Sequence, residues 1–177
     1  FWHHSLYCAS LTQALCAQIG YDSRPQASVG YLAGLLHNFG ILLLGHLFPA
    51  QFERLNKAVL TEPDRSLTEL ERETIVVSHT ELGLWLMDAW DMPKEIVEAV
   101  SEHHNPEHRG DYSVFANLVY IANALLRRHG IGDAESMEIP EALLERFGLD
   151  DEKLELALAS VLEGREGLEF MASRMAA

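Results

Sequence analysis

The chain has 177 residues, 48% of them apolar and 23% charged, a composition that suits one folded domain and excludes a disordered segment. Its 27 acidic residues against 13 Lys and Arg give a net charge of -14, which sets it against phosphate backbones and anionic membrane surfaces. No apolar run is read as approaching the roughly 20 residues of a bilayer span, and no basic segment precedes an apolar one as in a signal peptide.

In chain order, apolar residues recur at helical rather than strand spacing. A first helix is expected over 2–19, ended by Gly20. Cys8 and Cys16 both fall in it, about 12 Å apart at helical rise, too far to pair as a disulfide. Unpaired cysteines lead to the expectation of a cytoplasmic protein. A second helix should start near Ser28 with Val29, Leu32, Leu35 and Leu36 on one face. It meets His37-Asn38-Phe39-Gly40 and continues as an apolar stretch to Phe48, where Pro49 stops it. Residues 51–60 read as a short helix, and Glu62-Pro63-Asp64 as a breaker.

Ser66 and Glu69 fit a capping box, which opens a helix expected to run to Trp90 with His79 in its middle. Its apolar positions include Leu70, Ile75, Val76, Leu82, Leu86 and Met87, and Trp85 and Trp90 are expected in the core. Asp91 and Pro93 punctuate the next start. Ile96, Val97 and Val100 then face inward up to His103-His104, and Asn105-Pro106 ends that helix. Further helices are expected over 113–128, over 140–147, and from a cap at Asp150 or Asp151 to Leu162, with a weakly patterned tail after Gly164. The pattern gives an all-α fold, a compact bundle of about seven or eight helices, in which sites form from side chains on facing helices.

Nine histidines are present, and several sit beside apolar residues. His37 follows Leu35-Leu36, His79 precedes Thr80-Glu81-Leu82-Gly83, and His103-His104 close a helix. Neutral imidazole is the commonest metal ligand, so these are candidates, while His46, His108 and His129 read as structural or surface groups. Spacing alone carries a modest signal, and no paired-cysteine zinc motif occurs.

Several segments together are more specific. Ala33-Gly34-Leu35-Leu36-His37-Asn38-Phe39-Gly40 resembles the Gly-Leu-Leu-His-Asp-Ile-Gly signature of the HD phosphohydrolase superfamily. His4-Ser5 resembles the upstream histidine, and His79-Thr80-Glu81-Leu82-Gly83 the middle His-x-x-x-Gly element. Trp90-Asp91-Met92-Pro93 and His103-His104-Asn105-Pro106 resemble the Trp-x-x-Pro and His-His-x-Pro segment, and 117–125 takes the place of the closing helix. The order, with no Gly-Tyr-Pro element, resembles the HDOD family, a signalling offshoot of that superfamily. The resemblance implies an HD-type bundle over 1–130 and a C-terminal helical extension over 131–177 packed on the same domain. It also implies a further helical subdomain upstream, which a start at Phe1 rather than Met leads one to expect.

The resemblance assigns metal binding to His4, His37, the residue after it, and a late acid. Here those two acid positions hold Asn38 and Asn123, and Ile41 stands where catalytic relatives often have Lys. Amide oxygens are neutral and poorer donors to a hard cation, so a vestigial or weak site is expected at His4, His37, Asn38, His79, His103, His104 and Asn123, with no catalytic residue. His79, His103 and His104 could hold a metal alone or with Glu81, or could be neutral rings bonded into the core. No cofactor is expected, with Fe, Mn or Zn as the open alternative. The resemblance implies a bacterial regulatory output domain acting by protein interaction or ligand sensing, with signalling proteins or fused domains as partners, without nucleic acid or membrane, and open to homo-oligomers. The competing readings are a metal-dependent phosphohydrolase for a nucleotide or cyclic dinucleotide, and a purely structural helical scaffold.

Overall fold

The computed structural model describes residues 1–62, 65–131 and 138–176. Within them the chain forms α1 (Trp2–Gln18), α2 (Ala27–Leu36), α3 (Phe39–Leu47), α4 (Pro49–Thr61), α5 (Leu67–Thr74) and α6 (His79–Ala89). It continues with α7 (Lys94–Glu102), α8 (Ser113–Arg128), α9 (Glu141–Phe147), α10 (Asp151–Glu163) and α11 (Arg165–Met175). No strand occurs among the described residues, so the all-α expectation holds. Pro63 and Asp64 of the expected breaker lie outside the described residues.

The centre of the bundle is α8, which buries every residue from Phe115 to Leu126. A helix apolar on all sides needs neighbours on all sides. It has them in α1 and α7, and α10 and α11 close the far side of α1. Leu143, Leu154, Leu158 and Leu168 of the last three helices join Leu6, Leu11 and Leu125 in one buried cluster. A smaller cluster of Leu44, Leu55, Leu70, Ile75 and Leu82 lies under α3 to α6. Cys8 and Cys16 are buried and unpaired, and burial pushes both thiols up to about 12.

Five expectations need correction. The helix expected from Ser66 to Trp90 is two helices, because Ser78 and Glu81 form a complete capping box that starts a new one. His79 is therefore the first residue of α6, not its middle. Trp85 and Trp90 are 60% and 53% exposed, because α6 buries the stripe His79, Leu82, Gly83 and Met87 and turns Trp85 the other way. The tail after Gly164 is helical as α11, which buries only Leu168 and Ala172 and so patterns weakly. Finally, Ala27–Leu47 is 21 residues and contains an 18-residue window of mean hydropathy 1.5, long and apolar enough by length and composition to cross a bilayer. It is divided into α2 and α3 at His37-Asn38, and 39% of that window is buried within the protein.

Two glycines, one on either side of His37, permit close helix crossings. A Cβ on Gly34 would lie 2.7 Å from the Ala9 Cα and the Cys8 carbonyl, so α2 touches α1 backbone to backbone. A Cβ on Gly40 would overlap the carbonyl of His79, so α3 meets the start of α6 in the same way. Neither obstacle is a side chain that could swing aside. Gly40→Ala is expected to cost about 2 kcal/mol in urea unfolding, the range for overpacking a core. Gly20→Ala, where a Cβ would meet nothing within 4 Å, should be near neutral in the same measurement.

Candidate metal centre

Three histidines are aimed by bonds made behind them. His37 caps the end of α2, and its Nδ1–H donates to the Gly34 carbonyl one turn back at 2.7 Å. His103 ends α7 in the same way, donating to the Val100 carbonyl at 2.9 Å. His79 opens α6, and its Nδ1 lies 2.8 Å from both oxygens of Glu71. Glu71 also accepts the backbone N–H of His79 at 2.9 Å, and both side chains are wholly buried. A ring whose Nδ1–H is committed presents its Nε2 lone pair on the other side.

Those lone pairs converge. His79 Nε2 is 3.4 Å from His103 Nε2 and 3.2 Å from His104 Nε2. The ligand nitrogens of His79, His103 and His104 all lie within 4.8 Å of one another. Ligands about 2.05 Å from a tetrahedral cation stand about 3.3 Å apart, so two of these separations suit one ion. Two lone pairs face to face at such a distance repel unless a proton or a cation stands between them. His37 stacks edge-on against His103 with centroids 4.9 Å apart, and His4 against His37 at 5.4 Å. His37 Nε2 is buried without a hydrogen-bond partner among the described residues.

Burial, then the neighbouring His4, holds His37 well below the usual histidine range. Burial, then His104, does the same for His103. Burial, then His79, brings His104 down to about 3. Neutral imidazole is the form that binds metals. The cluster is thus chemically prepared for a cation and unfavourable for protons.

The sequence-derived candidates divide. His4, His37, His79, His103 and His104 come together. Asn38 is the N-cap residue of α3 and makes no side-chain capping bond. Asn123 is buried in α8, and its Oδ1 finds no hydrogen-bond partner among the described residues. Glu81 is occupied elsewhere, since its Oε2 accepts from the Ser78 N–H at 2.9 Å and from Ser78 Oγ at 2.8 Å. The carboxylate that reaches an imidazole of the cluster is Glu71, which sequence reasoning missed. In one unbroken helix Glu71 and His79 would be about 12 Å apart. Only the break at Ser78 folds one back onto the other. His108 and His129 pair with Glu98 and Glu155, and His46 is exposed, as expected of structural and surface groups.

Comparison with known proteins agrees with this geometry. The HDOD domain family matches residues 1–106. A crystal structure from Marinobacter aquaeolei VT8, of a protein named for signal transduction, superposes with a TM-score of 0.93 at 26% identity, covering 99% of this chain and 39% of that one. Ribonuclease Y of Thermus thermophilus is 30% identical over 92% of this chain and 23% of its own length. The cyclic-di-AMP phosphodiesterase PgpH of Bacillus subtilis is 28% identical over 58% of this chain and 13% of its own. The chain spans about a quarter or less of the curated relatives it matches, 26%, 23% and 13% of three of them.

The lowered histidines fix a pH dependence. Each binds protons more readily unfolded than folded, so the stability they contribute is complete above about pH 6.5 and is lost as pH falls. Chelator-treated protein is expected to hold its melting temperature from pH 7.5 to about 6.5 and to lose it steadily from there to pH 5.5. His104→Gln should flatten that slope, measured by circular dichroism.

Proposed function

The chain belongs to the HDOD family, and from that premise we propose that it is a signal-transduction module whose histidine cluster holds one transition-metal cation. The carrying observation is the convergence of the His79, His103 and His104 nitrogens at ligand spacing, each of the first two braced from behind. All three donors are imidazoles. That set suits zinc or ferrous iron better than manganese or magnesium, which favour oxygen. A bound cation supplies Lewis acidity and a fixed positive charge; His79, His103 and His104 hold it, and His37 borders them.

The same donor set argues against phosphodiester hydrolysis. Two-metal hydrolysis relies on a pair of cations about 3.5–4 Å apart, and such relatives hold them with carboxylates. Here the positions that the family resemblance gives to acids are Asn38 and Asn123. An amide does not supply the anionic bridge. The module acts instead through partner proteins or fused domains, in the cytoplasm, with occupancy of the histidine cluster as the signal. The net charge of -14 argues against RNA or membrane as its partner. The likeness to a cyclic-di-AMP phosphodiesterase keeps hydrolysis of a cyclic dinucleotide as the second reading.

Elemental mass spectrometry of the purified protein separates these. About one zinc or iron per chain is expected, lost in a His79→Ala, His103→Ala variant, with no turnover of cyclic dinucleotides by the loaded protein. Metal far below one per chain in the wild type would overturn the metal reading. Turnover that disappears in His37→Ala would establish the hydrolase.

A further inference from the structure

A cation held by three imidazoles in a buried place needs a counter-charge, and the three histidines bring no carboxylate of their own. The carboxylate bonded to it is Glu71, set not among the converging nitrogens but behind one of them. Its side chain is wholly buried, and both its oxygens lie 2.8 Å from His79 Nδ1. It also receives the His79 backbone N–H. A fully buried carboxylate is costly unless its charge is matched. Arg72, the next residue, is directed elsewhere, 3.9 Å from Glu81.

We propose that Glu71 is the counter-charge of the histidine cluster, acting through His79: it holds the ring with Nδ1 protonated and Nε2 facing inward, and so raises the affinity of the site for a divalent cation. The inference rests on the metal reading above and adds a residue that neither the sequence pattern nor the ligand set contains. Glu71 is a positioning residue, since no cation contact is assigned to it. Its place on α5 explains why α5 and α6 are separate helices: only a break between them lets residue 71 reach the ring of residue 79. The chain makes that break through Val76, a β-branched residue at φ 79. That conformation is unfavourable for such a side chain, so the break is held by what lies on either side of it. A metal-bound histidine braced by a carboxylate is a known tuning arrangement, and loss of the brace typically weakens binding 10–100-fold.

The test uses zinc as the probe and Glu71→Gln, which keeps an oxygen for the Nδ1–H and removes only the charge. Isothermal titration of the metal-free protein with Zn²⁺ should show binding weakened about 10- to 100-fold in Glu71→Gln and substantially restored in Glu71→Asp. In a His79→Ala background, Glu71→Gln should have no further effect, because its route to the cation is gone. Ring ¹⁵N spectra of the zinc-loaded wild type should show His79 protonated at Nδ1. Unchanged affinity in Glu71→Gln, or an equal loss with and without His79, would overturn the proposal while leaving the metal site standing. Failure of the wild type to bind zinc at all would overturn both. Should Glu71→Gln not fold, the ¹⁵N spectrum of the wild type decides alone, and Nδ1 unprotonated in the loaded protein refutes the role.

Discussion

Two backbone-to-backbone crossings organise this protein. At Gly34, α2 lies directly on α1, and at Gly40, α3 lies directly on the first residue of α6. A side chain at either point would push the helices apart by the width of a methyl group. The nitrogens 3.2 to 3.4 Å apart come from α6 and the end of α7, which approach each other at a third glycine, Gly83, where a Cβ would lie 2.5 Å from Val100 Cγ1. Imidazoles are short, so the site is a consequence of this close packing.

Around that constraint the electrostatics are unusual. The chain as a whole is strongly acidic, yet the cluster is made of imidazoles, and burial holds those of His37, His103 and His104 below the usual histidine range. The resemblance to metal-dependent hydrolases leads one to expect acids as ligands beside the histidines; amides stand there instead. The buried acid that remains lies one step back, on His79. Moving negative charge from the ligand position to the bracing position preserves attraction for a cation and removes the anionic bridge on which two-metal hydrolysis depends. Under the proposed function, that difference separates a site that senses from one that cleaves.

Much of this was legible in the sequence. The boundaries of α8, the Asp150 cap and the inward face of α7 come from apolar periodicity and local capping. The gathering of His37, His79, His103 and His104 came from a resemblance, since no local spacing relates residues so far apart in sequence. The break at Ser78 was hidden because apolar residues continue across it at near-helical spacing. Missing it concealed Glu71, which is meaningful only once α5 turns back on α6. The exposure of Trp85 was equally hidden, because hydrophobicity alone does not say which face of a helix finds a partner. The last helix escaped notice because only two of its residues are buried.

The central claim is that one cation sits among the Nε2 atoms of His79, His103 and His104. X-ray absorption at the zinc edge of the loaded protein tests it most directly. The account predicts a light-atom shell of nitrogen or oxygen at about 2.0 Å, with outer-shell scattering from three imidazole rings. A shell dominated by carboxylate oxygen, or one with fewer than two imidazoles, would contradict it.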